Sequence, residues 1–220
     1  MERSKKAVFI LMALMAVLSF TNILNIQVNG ETINLAGLSV IVGIIAFFTT
    51  RKTNGSKEEG LNIKSFVGSI KDKKVILLVC MPMLMNVLCF LIAKFCLPEY
   101  IAHLNSRTSL VNTAELPKLI LELLVLALGE EIAWRAFFQK QTSKIMPFLP
   151  SLLITSALFS MGHFNFGSMI IVLYDLVFVF INALFYGLVF KGTDNAWCSV
   201  LSHFLANLLG TLFLSAIIIA

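Results

Sequence analysis

"ALGEEIAWRAFF", Ala127 to Phe138, sets two adjacent glutamates and an arginine inside a run that otherwise reads as membrane-spanning helix. How that run is read decides the fold. A hydrocarbon core takes a helix of ~20 apolar residues, and a charge at its centre costs ~2.5–3.5 kcal/mol on insertion scales. Glu130, Glu131 and Arg135 therefore need a reason to be there. The surroundings are of the same kind. The 220 residues are 58% hydrophobic and 13% charged, about half the charged share of a soluble domain. Apolar runs recur from about Ala7 to Ile26, Ile33 to Phe48, Val75 to Leu97, Pro117 to Phe138, Phe148 to Phe164, Met169 to Phe190 and Trp197 to Ile219. The expected fold is an all-α polytopic membrane bundle of about seven transmembrane helices.

"MERSKK" followed by "AVFILMALMAVLSF" has the outline of a signal peptide, but the apolar run continues past Phe20 without a clean small-x-small cleavage site, so a retained helix is expected. Charge placement predicts topology. Arg3, Lys5 and Lys6 precede the first run. Arg51, Lys52, Lys57, Lys64, Lys71, Lys73 and Lys74 fill the segment between the second and third. Lys140, Lys144 and Lys191 lie in later connections of the same parity, whereas the alternate ones hold Arg107, with Lys94 and Lys118 at helix ends. The positive-inside rule then puts the N-terminus in the cytoplasm and the C-terminus outside, in the cell membrane. The net charge of +5 is explained by topology and anionic lipid, so membrane lipid is an expected partner and nucleic acid is not. Cys80, Cys89, Cys96 and Cys198 form no CxxC and read as small buried hydrophobes.

Two polar connections stand out. In "RKTNGSKEEGLNIKSFVGSIKDKK", Arg51 to Lys74, the residues Leu61, Ile63, Phe66, Val67 and Ile70 recur near helical spacing, which predicts a short amphipathic helix on the inner membrane surface. "PEYIAHLNSRTSLVNTAEL" reads as an outer loop, with His103 solvated and without a role. Asn22, Asn25, Asn86, Tyr174, Asn182 and Tyr186 are expected as interhelical hydrogen-bond partners. Asp175, an acid within a span, is expected to line a cavity or sit near the outer interface.

The remaining polar residues have an internal order. "EEIAWR" holds Glu130, Glu131 and Arg135; "FSMGH" holds Phe159 and His163; "HFLAN" holds His203 and Asn207. Residues four apart share a helix face, so Glu131 can meet Arg135, while Glu130 is turned ~100° away. That leaves Glu130 without a sequence-local partner, and the two histidines on other helices are the residues for it to meet. A structural clamp explains any one pair. Two acids, an arginine and two histidines on three helices are better explained by a water-containing site. Such a site suits hydrolysis: amide cleavage needs a base for water, donors for the oxyanion and an acid for the leaving nitrogen.

EExxxR, FxxxH and HxxxN in this order on successive membrane helices resemble the CPBP family, the type II CAAX prenyl endopeptidases with their bacterial Abi, bacteriocin-processing and self-immunity relatives. The resemblance spans roughly Leu116 to Gly210, with every motif letter present. It implies a catalytic membrane core over residues 116–220, preceded over 1–115 by supporting helices and the basic cytoplasmic loop. It further implies that Glu130 and His163 activate a water, that His203 and Asn207 polarise the substrate carbonyl, and that Glu131 and Arg135 complete and hold the site. The substrate would be a peptide or membrane protein.

The family is commonly labelled metalloprotease, and Glu and His are zinc ligands. HExxH, the strong zinc-helix signature, is absent. A divalent metal such as zinc and a metal-free mechanism are both compatible with the residues, and no other cofactor is implied. The short chain without additional domains favours bacterial peptide processing or bacteriocin self-immunity; a non-enzymatic immunity protein and a small proton-coupled transporter are the competing readings. One geometric conflict follows from straight, full spans: His163 falls ~20 Å of helix beyond Leu149, at the outer end, with Glu130 in the inner half. Either the Glu130 helix runs on through "FFQKQTSK" or the His163 helix stops early.

Overall fold

The computed structural model describes residues 2–28, 31–54, 60–108 and 115–219. They form an all-α bundle with one two-residue antiparallel ladder, Gln27–Val28 against Glu31–Thr32. In chain order the helices are α1 (Glu2–Ser19), α2 (Leu38–Asn54), α3 (Ile63–Ser69), α4 (Lys73–Cys96), α5 (Glu99–Thr108), α6 (Leu116–Glu131), α7 (Lys140–Thr142), α8 (Phe148–Met161), α9 (Met169–Thr193) and α10 (Ala196–Ile219). Among the described residues, α4, α9 and the Ala196–Ala216 part of α10 are long and apolar enough to cross a membrane. These three pack on one another, α6 packs on α10, and α8 on α9. Each apolar run of the sequence carries a helix.

Polarity is distributed as lipid demands. Ile10, Leu77, Phe95, Leu121, Leu149, Met169 and Ile170 are each more than half exposed, whereas Glu131, Arg135, Asn195, Ser199 and Ser202 are fully buried. Apolar groups outside and hydrogen-bonded polar groups inside is the arrangement a bilayer stabilises, because a lipid-facing polar group would lose its partners.

Two features place the site. First, α6 does not end at Glu131: it passes without a break into a π-helical stretch, Ile132–Gln139, and then α7. Second, α8 ends at Met161, so His163 sits in a turn and not at the far end of a full span. The conflict between the depths of Glu130 and His163 is resolved by both routes at once. Every residue of the π stretch is buried, and α2 lies against it. Gly43 makes that approach possible, since a Cβ there would fall 2.5 Å from Ala133 Cβ and 2.8 Å from its Cα.

The expected outer loop is different from its reading. Glu99–Thr108 is helix α5, packed on α4 and α9, while residues 109–114 lie outside the described set. His103 is buried, with its side chain 7% exposed and Nε2 3.8 Å from Asp175 Oδ2. Tyr100 donates to the other Asp175 oxygen at 3.1 Å. The sequence reading failed because Tyr100 and His103 of α5 turn toward an acid from a distant span, which a local pattern does not display. The amphipathic helix after Asn62 is present as α3, with the Asn62 side chain accepting from the Lys64 and Ser65 backbone amides.

Candidate active site

Helices α6, α8, α9 and α10 converge on Arg135 and Glu131, both completely buried. Arg135 Nη1 donates to Glu131 Oε1 across 3.1 Å, one turn along the helix. Its Nη2 donates to the Ala183 carbonyl of α9 at 3.1 Å. The guanidinium also lies over the rings of Phe159, 4.5 Å away, and Tyr186, 5.3 Å away. A planar fork can bond a carboxylate and a carbonyl while stacking on aromatic faces, which an ammonium cannot. Arg135 thus fastens α6, α8 and α9 together.

His203 of α10 completes the cluster. Its Nδ1 is 2.8 Å from Glu131 Oε1, the oxygen already shared with Arg135. A carboxylate accepts, so Nδ1 carries the proton and Nε2 points onward. Nε2 lies 3.6 Å from Glu130 Oε2. Tyr186 stacks on the imidazole with centroids 4.5 Å apart, and Phe159 meets it edge-on at 6.0 Å. The order is therefore Arg135, Glu131, His203, Glu130. His203, which the sequence reading pairs with Asn207 and offers to Glu130, lies beside both glutamates.

His163 is oriented separately. Its Nδ1 lies 2.9 Å from the Phe159 carbonyl, and its ring packs on the Phe159 ring at 4.6 Å. The carbonyl can only accept, which assigns the proton to Nδ1. FxxxH is thus one unit: phenylalanine fixes the tautomer through its backbone and the ring plane through its side chain.

Two cavities adjoin these residues. One, ≈250 Å³, is lined by Glu130, His163, His203, Asn207, Tyr186 and Phe159, and extends past Asn86 and Asn182 to Asp175, Tyr100 and Leu104. The other, ≈460 Å³, lies between α2, α6 and α8 and is lined by Asn22, Asn34, Gly37, Trp134 and Asn165. Glu130, Phe159 and His163 line both. Glu130 keeps 22% of its side-chain surface exposed while Glu131 keeps none. The two adjacent glutamates thus have different surroundings.

A three-ligand zinc centre needs its donors to converge on one point. Among the described residues no three His, Cys, Asp or Glu side chains do so. His203 Nδ1 faces Glu131 and His163 Nδ1 a backbone carbonyl, hydrogen bonds of the kind that also orient metal-ligating imidazoles.

Some contributors were not singled out as site residues from sequence. Tyr186 follows Asn182 by one helical turn, a spacing that could have marked it. The Ala183 and Phe159 carbonyls are backbone groups with no side-chain signal. Asn22 stands 140 residues from its partner Gly162.

A helical membrane bundle thus buries carboxylates, histidines and an arginine beside a cavity. Residues 112–209 match the family described as Type II CAAX prenyl endopeptidase Rce1-like, so this stretch of the chain is similar to that family. The match encloses all three motifs, from Glu130 to Asn207. No curated protein and no solved structure matches the chain.

Proposed function

We propose that this protein is an endopeptidase of the cell membrane that hydrolyses a peptide bond with a water activated by Glu130 and His163. The observation that carries the reading is that these two residues, with Leu126 and Phe159, form the wall shared by both cavities. A water between them meets the Glu130 carboxylate on one side and the His163 imidazole on the other. Glu130 takes a proton as the oxygen attacks the carbonyl carbon, then passes it to the leaving nitrogen. His203, held through Nδ1 by Glu131, turns its Nε2 edge to the substrate carbonyl, and with the Asn207 amide it polarises that carbonyl. Arg135 and Glu131 hold His203 in place. Residues 116–220 are the catalytic core and 1–115 its supporting wall.

The topology reading draws support from the contacts. Lys140 Nζ lies 2.9 Å from Asp194 Oδ1, Ala196 N donates to Gly60 O at 2.8 Å, and Asn195 donates to Asn62 O at 2.6 Å. The basic connections therefore gather at one end of the bundle, as a cytoplasmic face requires. Bacterial peptide processing or bacteriocin self-immunity is the role we assign.

The test compares the membrane-associated peptides of cells expressing wild type with those of cells expressing Glu130→Gln at equal protein level. Peptides present only with wild type, and their uncut precursors only with the variant, are expected. Identical peptide sets together with undiminished immunity from the variant would replace the protease with a non-enzymatic immunity protein.

A further inference from the structure

Asp175 is an acid of the first cavity that the hydrolytic scheme leaves unused. It sits on α9, is 2% exposed, and lines the same cavity as Glu130, His203 and Asn207. A carboxylate inside an apolar span is costly, and such a residue marks a functional position by default. Tyr100 of α5 donates to its Oδ1 at 3.1 Å, and His103 Nε2 stands 3.8 Å from its Oδ2. A carboxylate has about four lone-pair positions and can hold a phenol, an imidazole and a cation together. On α9 the lining runs from Asp175 through Phe178, Val179 and Asn182 to Tyr186, which stacks on His203. These residues share one helix face, and the eleven positions from Asp175 to Tyr186 cover ~16 Å. Phe90, Tyr100, Leu104 and Leu214 belong to one apolar cluster and wall the Asp175 end. Midway stand two amides. Asn182 Nδ2 donates to Asn86 Oδ1 at 2.8 Å, and Asn86 Nδ2 donates at 2.8 Å to the Ala206 carbonyl, next to Asn207. Asn182 Oδ1 has no hydrogen-bond partner among the described residues.

An apolar sleeve closed by a carboxylate is an arrangement by which proteases select a basic side chain: the walls take the aliphatic stem and the acid takes the charge. We propose that Asp175 is a specificity-determining subsite for a lysine or arginine side chain of the substrate, whose chain lies along α9 with the scissile bond at Glu130 and His203. This deepens the endopeptidase reading of the same site and rests on it. The substrate class is a peptide with a basic residue within about five residues of the cut bond, because an extended chain covers ~16 Å in that many. Asn182 Oδ1 accepts a backbone N–H of the chain on the way. An acidic side chain is repelled at Asp175 and a neutral one gains nothing from its charge, so the subsite discriminates by charge.

The test compares membrane-associated peptides from cells expressing wild type, Glu130→Gln and Asp175→Asn at equal membrane protein level. Sites cut by wild type and not by Glu130→Gln are expected to carry lysine or arginine at one fixed offset within about five residues of the cut. One precursor found in this way is re-expressed with that basic residue changed to glutamine. Wild type is expected to cut the changed precursor about 30-fold more slowly or worse, the scale of removing one side of a desolvated charge pair. Asp175→Asn is expected to cut the two precursors at equal rates. An Asp175→Asn protein that still prefers the basic precursor, or wild-type cut sites without a fixed basic position, overturns the proposal and leaves the endopeptidase reading standing. Peptide sets identical in wild type and Glu130→Gln overturn both. A binding measurement needs neither turnover nor a folded Asp175→Asn. In purified Glu130→Gln protein, where the other cavity carboxylate is neutral, L-argininamide is expected to raise the melting temperature and its uncharged isostere L-citrullinamide is not. Equal effects of the two overturn the proposal.

Discussion

Glu131 and His203 are joined at 2.8 Å through the one carboxylate oxygen that Arg135 also binds. The second oxygen, Glu131 Oε2, has no hydrogen-bond partner among the described residues, and neither has Arg135 Nε. A completely buried ion pair with unsatisfied atoms is not an economical way to stabilise a fold, since desolvation offsets much of the attraction. Its effect is to pin an imidazole between Tyr186 and Phe159. Removing one partner strands the other charge, at a cost of ~3–5 kcal/mol. Arg135→Ala is expected to lower the melting temperature in detergent and to abolish activity. Arg135→Lys is expected to restore little of either, because an ammonium cannot reach Glu131 and Ala183 O while stacking on Phe159. Thermal unfolding followed by tryptophan fluorescence checks both; an Arg135→Ala protein as stable as wild type would move Arg135 from scaffold to substrate contact.

Glu130 differs from its neighbour by facing cavity. Glu130→Gln keeps the shape and a hydrogen-bonding group but removes the base. The expected outcome is a protein with unchanged membrane yield and melting temperature that no longer cleaves its substrate. Asn207→Ala is expected to be milder, slowing turnover by ~10²–10³, the usual loss for one oxyanion donor. The readout is accumulation of uncut precursor for each variant.

The apolar runs were legible because a bilayer asks for ~20 of them in succession, and Glu131 with Arg135 because a helix face repeats at four residues. The pairing of His203 with Glu131 was not, since it joins α6 to α10 and depends on how the helices cross. Nor was the π-helical stretch: nothing in "IAWRAFFQ" departs from ordinary α-helical composition, yet such stretches gather at functional sites, and this one begins at the residue after Glu131. Helix α5 was hidden because Tyr100 and His103 look solvated until Asp175 is brought beside them.

Asn22 reaches into the site from outside the family-matched stretch. Its Nδ2 donates to Gly162 O at 3.0 Å and to Phe164 O at 3.4 Å, the two carbonyls that flank His163. The end of a helix leaves carbonyls that need donors, and here a side chain from the α1–α2 connection supplies them. The chain has three histidines, so imidazole resonances can be followed one by one. In Asn22→Ala, and in the shape-conserving Asn22→Asp, the His163 resonance is expected to shift or broaden while those of His203 and His103 stay in place. Three unchanged resonances would show that Asn22 does not position His163.

Gly43 carries the last prediction, which concerns whether the N-terminal helices merely flank the site or hold it. A Cβ at Gly43 would meet Ala133 Cβ at 2.5 Å and the Ala133 Cα at 2.8 Å, and Met15 Cε at 2.9 Å. The methionine end can swing aside; the Ala133 backbone cannot without moving the π-helical stretch, which is buried along its whole length. Ala133 lies between Glu131 and Arg135, so a displaced backbone changes the geometry of their ion pair. Overpacking of a closed core costs ~1–3 kcal/mol. Gly43→Ala is therefore expected to lower the melting temperature by an amount matching that range and to reduce activity, though the residue touches neither cavity. Gly68→Ala, at a glycine where an added Cβ meets nothing within 4 Å, is the control expected to change neither. If Gly43→Ala behaves like that control, α2 is a flexible flank that yields to the added methyl, and residues 1–115 act on the site only as a gate.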